Sequence, residues 1–398
     1  MSTLKVDNIR HNSATSDAIT MASDGTCTAK LTSAGGGQLS HRNKARNGEM
    51  KVSQRGTTFS PTTSAIYLID GWMTQHGSSG NLDTTVTQST DAPPGFSKSL
   101  KITPDSTLTP SGSLNGMLAQ RLEGQDFQDL AFGTSDAKPV TVSWYAKTSA
   151  TGAGNYTVKV EYSNGTNNYA VNKLFAFTTT WTRYTYTIPA TGTATSVGIR
   201  DDKELGFRVE YHLFSGSDDF HSQFTQWTIN PSPTYKVISG QKNFMDNTNN
   251  ELYITGLQIE VGDTATSFEH RSYGEELRRC ERYYEVHWQN TNASNPAGSH
   301  NDGYNCICAG VNLGSYSYFP FKYRTQKRAG PSISHGGKFR MLGGGSGSNK
   351  VADEFYSPSI DGCRIRVAGS GTSGQASVLE FDAANNNGEG YIAITAEM

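Results

Sequence analysis

Four runs in the middle of this chain alternate apolar and polar residues with a period of two. In VTVSWYAK, Val140, Val142 and Trp144 share one face, and in YTVKVEY the same holds for Tyr156, Val158, Val160 and Tyr162. In WTRYTYTIP, Tyr184, Tyr186 and Ile188 lie together while Thr185 and Thr187 face away, and GFRVEYHLF sets Phe207, Val209 and Tyr211 on one side. Successive side chains of a strand point to opposite faces, so this period marks half-buried β-strands. The clusters between them, SATGAGN, SNGTNN, ATGTAT and SGSDD, are turn formers. Short strands at such intervals specify a sandwich rather than a parallel α/β fold.

Composition agrees and sets bounds. The chain has 398 residues, too many for one ordinary core, so two or three domains are expected. Its balance is Ser, Thr, Asn and Gly, with 42 glycines, which weaken helices. The 17 Phe, 19 Tyr and 5 Trp supply enough large buried area to exclude a disordered chain. A net charge of −2 with no basic stripe argues against a nucleic-acid binder. The opening MSTLKVDNIRHNSATSDAIT lacks the apolar stretch of a secretory signal, and no run reaches the roughly 18 apolar residues of a membrane span. A soluble chain made in a cytoplasm, with no membrane insertion, is the expectation. Cys27, Cys280, Cys306, Cys308 and Cys363 are odd in number and scattered, which disfavours a disulfide framework. Cys306 and Cys308 alone are close, and small thiols in a strand explain them better than a metal site lacking further ligands.

The segment Glu251–Glu285, ELYITGLQIEVGDTATSFEHRSYGEELRRCERYYE, is the junction between two Ser/Thr/Gly-rich regions. Leu252 and Ile254 share a phase, Gly256 breaks it, and Leu257, Ile259 and Val261 resume on a shifted register, the mark of a β-bulge. Ser272 and Glu275 form a capping box, Glu275 and Arg279 are spaced i,i+4, and Leu277, Cys280 and Tyr284 make an apolar stripe on a short helix. Before this junction, NKARNGEMKVSQRGTTF (Asn43–Phe59) reads as a first strand, and Asp70-Gly71 as a turn before Trp72. After it, NCICAGVNLG, SYFPFKYR, GCRIRVAG, ASVLEFDA and GYIAITAEM are strand-like, separated by polar loops at His287–Gly303, Gly343–Asp353 and Asp382–Gly390.

LYITGLQIEVGDTATSFEHRSYGEELRRCERYYE resembles a module junction of tail fibres and related virion appendages of bacterial viruses, especially aquatic ones. NGEMKVSQRG is similar to the opening of the family's jelly-roll module, and GYIAITAEM to the last strand of its C-terminal domain. The resemblance implies an all-β chain: an N-terminal attachment or trimeric stem segment (1–40), an antiparallel jelly-roll β-sandwich like a carbohydrate-binding module (41–271), a connecting helix (272–285) and a C-terminal β-sandwich-like distal domain (286–398). It further implies a homotrimer in the virion, joined through its N-terminus to other tail or capsid proteins and adsorbing to a host surface glycan or outer-membrane protein. A virion-associated polysaccharide depolymerase and a decorating fibre that touches no receptor are the alternatives.

Little in the residues points to catalysis, and a non-enzyme is expected. Glycosidases need two carboxylates in one cleft, whereas the adjacent pairs Asp201-Asp202 and Asp218-Asp219 sit in turn-rich context. No GxSxG, HExxH, P-loop or GxGxxG pattern appears, and His270 in the FEHR stretch suits structural hydrogen bonding. Jelly-roll modules often carry a structural calcium, for which Glu49, Asp246 and Glu260 are the acids to inspect, but no metal and no cofactor are expected. Sugars are held by aromatic faces beside amides. Trp288 with Asn290 and Asn292, Tyr304 and Tyr356 therefore form the ligand-binding candidates, with Trp144 and Trp181 assigned to the core.

Overall fold

Eight strands carry the N-terminal part of the chain: β1 (Ser99–Pro104), β2 (Asn115–Glu123), β3 (Val140–Thr148), β4 (Gly154–Ser163), β5 (Asn168–Phe177), β6 (Thr182–Ile188), β7 (Leu205–Ser215) and β8 (Leu252–Val261). They pair in the orders β1-β8-β3-β6 and β2-β7-β4-β5, every contact antiparallel. Along these eight strands every step crosses from one sheet to the other except the β4–β5 hairpin, while Thr84–Ser89 joins the first sheet as a hairpin partner of β1 and shorter strands extend both sheets. This is the double Greek key of a jelly roll, read from the chain's own pairing. The computed structural model describes residues 6–10, 19–21, 23, 27–29, 41–61, 65–76, 83–191, 198–229, 237–288, 306–336, 339–342, 352–368, 372–381 and 390–398.

The chain divides into two units, one of residues 1–50, 60–66 and 74–270, the other of residues 51–59, 67–73 and 271–398. In the first unit the alternating residues meet as the period requires. Trp144 of β3 is fully buried, with ring centroids 4.9 Å from Phe175 of β5 and 5.5 Å from Tyr211 of β7, both edge-on. These contacts join the two sheets across the core, and rings of this size bury about 150–250 Å² each. Trp181 departs from its core assignment. It is half-buried, its Nε1 donates to Asp91 Oδ1 at 2.9 Å, and the Lys147 ammonium lies 5.5 Å from its ring. Trp181 precedes the first residue of β6, so the strand's alternation does not carry it inward.

The phase break in β8 is a bulge: Ser143 faces Gln258 but Tyr145 faces Thr255, and Gly256 has φ +66°. A side chain there would also stand 2.9 Å from the Phe96 and Tyr145 rings, so glycine is required twice over. The strand expected over Asn43–Phe59 does not form, apart from Thr58–Phe59. Residues 43–48 instead lie along β8: Lys44 N donates to Ile259 O at 2.9 Å, Leu257 N to Gly48 O at 3.1 Å, and Asn43 Nδ2 to Leu257 O at 3.0 Å. Asn47 and Met50 have positive φ, which bends the backbone away from a continuous ladder. The FEHR stretch fastens this segment: Glu269 Oε2 accepts from Asn43 N at 2.7 Å and His270 Nδ1 lies 3.1 Å from Glu49 Oε1. Farther toward the N-terminus, Asn8–Ile9, Ile19–Met21 and Cys27–Ala29 form a small three-stranded sheet with Ile9 and Met21 exposed.

The second unit opens with helix α1 (Tyr273–Glu281), whose N-cap Ser272 Oγ accepts from Glu275 N at 3.2 Å. Tyr284, placed on the helix stripe by the sequence, instead starts β9 (Tyr284–Trp288). The helix is closed by Tyr283 N donating to Cys280 O, and Tyr283 O already accepts from Ala396 N of the sheet. The remaining strands are β10 (Cys306–Asn312), β11 (Tyr316–Lys322), β12 (Ser332–Gly336), β13 (Phe339–Leu342), β14 (Ala352–Tyr356), β15 (Gly362–Ala368), β16 (Ala376–Phe381) and β17 (Tyr391–Thr395). They form the sheets β9-β17-β12 and β13-β16-β10-β11-β15-β14, antiparallel throughout. Both sheets feed one core, which includes Phe319, Phe339, Ile365, Leu379, Ile392 and Ile394. The protein is thus all-β, with a jelly-roll unit, a short helix and a second antiparallel β-unit.

Candidate ligand-binding face of the C-terminal unit

Strand alternation decides which residues of the second unit reach solvent. On β11, Ser317, Phe319 and Phe321 are buried, so Tyr316, Tyr318 and Pro320 point the other way. On β15, Cys363, Ile365 and Val367 are buried, so Arg364 and Arg366 share that outer face. Register then aligns them across three strands: Tyr318 faces Arg366, which faces Glu354, and Pro320 faces Arg364, which faces Tyr356. Val311 of β10, opposite Tyr318, extends the row. Val311, Tyr316 and Tyr356 are 41%, 40% and 39% exposed.

The arginines interleave the tyrosines. The Arg364 guanidinium lies 5.7 Å from the centroids of both Tyr318 and Tyr356. That of Arg366 lies 4.7 Å from Tyr316 and 5.5 Å from Tyr356, and it pairs with Glu354 at 2.9 Å. Stacking of this kind holds both partners in place at an exposed position. Rigid tyrosines beside arginines are also the residue types that dominate recognition surfaces.

Beyond Arg364 the face dips into an open cavity of about 550 Å³ lined by Pro320, Lys322, Ser357, Ser359, Asp361 and Arg364, with Cys363 also contributing. Ser357, directly after Tyr356, has φ +49°, a left-handed conformation that serine rarely adopts. Ser359 Oγ accepts from Asp361 N and Gly362 N, both at 3.2 Å, which fixes the turn that shapes the rim. Asp361 accepts from Gln326 at 3.1 Å. Burial pushes the Cys363 thiol up to about 11, which favours the protonated form at neutral pH.

Of the five residues expected to bind ligand, Tyr356 lies on this face, on the edge strand β14 beside Arg364 and Arg366. Trp288 closes β9 opposite Tyr391. Its side chain, with Asn290, Asn292 and Tyr304, lies outside the described residues. Tyr316, Tyr318, Arg364, Arg366 and Lys322 were missed by the sequence reading. Their signal was present as period-2 alternation in SYSYFPFKYR and GCRIRVAG, but the register that brings the two runs together is not written in either.

The acids raised as catalytic or calcium candidates are engaged separately. Asp202 takes the Arg200 guanidinium at 2.6 Å, which holds its carboxyl below the usual range, and Asp219 accepts from Asn115 Nδ2 at 2.6 Å. Glu49 faces His270 at 3.1 Å, Asp246 faces Lys242 at 2.7 Å, and Glu260 accepts from Thr266 N at 2.9 Å. Among the described residues no three His, Cys, Asp or Glu side chains gather as metal ligands would.

The jelly roll holds the densest charge cluster. On the outer side of β4 and β7, Lys159 contacts Glu161 at 2.8 Å and Glu210 at 3.6 Å, and Arg208 contacts the same glutamates at 2.8 and 2.7 Å. Burial opposes ionisation of Glu210, but Arg208, Lys159 and His212 outweigh it and hold the carboxyl well below its ordinary value. Carboxylates flanked by cations on both sides brace β4 and β7.

No protein-family model matches the chain, and no curated protein matches it. Similar solved structures include the enzymatically active domain of tailspike protein 4 of bacteriophage CBA120, at 9% identity and TM-score 0.30, covering 55% of this chain and 21% of that one. The CBM22-1 xylan-binding domain of Paenibacillus barcinonensis Xyn10C matches at 13% identity and TM-score 0.26, covering 52% and 94%. The family 11 carbohydrate-binding module of a Clostridium thermocellum cellulase matches at 9% identity and TM-score 0.26, covering 54% and 100%. The chain spans only about a fifth of the tailspike domain. At these scores the matches add nothing to the strand order, which alone carries the jelly-roll assignment.

Proposed function

We propose that this protein is a virion appendage of a bacterial virus, a trimeric tail fibre whose C-terminal unit adsorbs to glycan on the host surface without catalysing a reaction. The observation that carries the binding role is the tyrosine–arginine face of β11, β15 and β14. Exposed aromatic faces offer the flat apolar surface against which a sugar ring packs, and the flanking guanidiniums donate hydrogen bonds to its oxygens. The junction residues Leu252–Glu285 supply the viral part of the reading. The exposed Ile9 and Met21 on an N-terminal sheet too small to form its own core favour assembly with further copies or with other virion proteins at that end. In a trimer, a weak contact per copy suffices, because later contacts become intramolecular.

The test is adsorption of the purified full-length chain to bacterial cells. Tyr356→Ala is expected to lower the apparent affinity by about tenfold per site. Failure of the wild-type chain to adsorb to any strain that the parent virus infects would remove the reading. Release of reducing ends from the host polysaccharide would replace it with a depolymerase, and a monomer by mass at micromolar concentration would sink the trimer.

A further inference from the structure

We infer that the cavity beside Tyr356 takes the anionic substituent of an acidic glycan, so that the receptor is a sugar bearing a carboxylate or a phosphate. The inference rests on the glycan-adsorbing reading above and narrows it to a ligand class. Lys322 and Arg364 both line the cavity, and among the described residues neither has a carboxylate partner. Arg364 is instead held between the rings of Tyr318 and Tyr356, each 5.7 Å away. This fixes the orientation of the guanidinium without neutralising it. Its neighbour Arg366 differs, since Glu354 meets it at 2.9 Å. Asp361, the acid among the lining residues, accepts from the neutral Gln326 amide at 3.1 Å and keeps its charge, so two cations face one carboxylate and the cavity stays net positive.

Ser357 also lines the cavity and its hydroxyl suits an anionic oxygen, whereas the Ser359 hydroxyl donates to Gly362 O at 3.0 Å and serves the turn. The left-handed backbone at Ser357 (φ +49°) sets the chain's turn from the exposed Tyr356 into the cavity wall. A sugar ring lying on Tyr356 would therefore present a substituent to Arg364 and Lys322. A planar guanidinium receives a carboxylate or phosphate through two parallel hydrogen bonds, and such charge-assisted bonds are roughly twice as strong as neutral ones. A neutral sugar would leave the excess of Lys322 and Arg364 over Asp361 uncompensated and gain only the ring contact.

The fluorescently labelled full-length chain on an array of neutral, uronate-bearing and phosphate-bearing bacterial glycans tests this. Bound spots should be confined to the acidic glycans, and the uronate and phosphate spots separate the two sources of the anion. Arg364→Gln should cut the signal about tenfold, and raising salt to about 0.5 M should weaken the wild type more than the variant, which keeps Lys322. Lys322→Gln, at an exposed position that cannot compromise the core, should show the same salt pattern with a smaller loss. Equal binding to neutral and acidic spots, with Tyr356→Ala still damaging, overturns the anion inference and leaves glycan adsorption standing. Binding to no glycan overturns both.

Discussion

Replacing Glu285 with Gln is expected to be among the most damaging single-atom changes in the second unit. Glu285 and Lys327 are both wholly excluded from solvent and form an ion pair. Glu285 also accepts from Arg324 N at 2.9 Å and from His287 Nε2, while the Lys327 ammonium further donates to Glu281 O and to Thr325 O at 2.9 Å. Burial opposes ionisation of Glu285, but the His287, Lys327 and Arg324 donors reverse this and bring its carboxyl down from 4.5 to about 2. Burial pushes the Lys327 ammonium below the usual lysine value even beside Glu285. The carboxylate collects donors from several directions, whereas the lysine chiefly loses its hydration.

At neutral pH, Glu285→Gln leaves that ammonium buried without its paired carboxylate, with only the more distant Glu281 charge beside it, a loss of about 3–5 kcal/mol. The pH route gives a similar figure: the displacement from 4.5 to about 2, at about 1.4 kcal/mol per unit, makes about 3 kcal/mol. Because the native pKa is depressed, this contribution is complete above pH 4.5 and is lost as pH falls toward about 2. Scanning calorimetry of wild type and variant from pH 7 down to pH 2 should show the gap between them shrinking through that window alone. Adding Lys327→Met to the variant should recover most of the loss, since the orphaned charge is then gone. A gap under about 1 kcal/mol at pH 7, or one that stays constant to pH 2, would refute the reasoning.

Two further substitutions test local features. Gly48→Ala places a Cβ 2.2 Å from Leu257 O, a backbone atom that cannot move alone, and should cost about 1–3 kcal/mol in the thermal transition of the jelly-roll unit; full tolerance would mean that residues 43–48 do not lie along β8. Ser272→Ala removes the cap of α1 and should cost about 1 kcal/mol, seen as several-fold faster hydrogen exchange of the first helical turn; unchanged exchange would show that packing alone holds the helix end.

The strands, the bulge and the cap were legible because each is a local pattern. Val140, Val142 and Trp144 announce a strand by alternation, Gly256 interrupts a phase, and Ser272 stands three residues before Glu275. The strand order 1-8-3-6 and 2-7-4-5 is a statement about distant partners, and no local window contains it. The same limit applies to the candidate site. Tyr356 could be picked out as an aromatic beside a polar loop, but Arg364 and Tyr318 reach it only through the register of β14, β15 and β11. Trp181 went astray for the opposite reason: a large aromatic beside a regular strand looks like core until its place just outside the strand is known. Asn43–Phe59 read as a strand on composition, whereas side-chain hydrogen bonds from Asn43 and left-handed residues at 47 and 50 decide its path.

The position of β8 between β1 and β3 has a consequence for how the protein is made. The first sheet has a gap at its centre until the last strand of the jelly roll leaves the ribosome. β3 ends at Thr148 and β8 at Val261, a separation of 261 − 148 = 113 residues. At about 5–20 residues per second, synthesis holds the inner edges of β1 and β3 open for roughly 6–23 s. Two facing strand edges left unpaired that long are templates for any other extended chain, including the same segment of a neighbouring nascent copy on one polysome. Nascent copies brought close together in this way would face a choice between waiting for their own β8 and accepting another's, and the rate of translation through residues 149–261 sets which one wins.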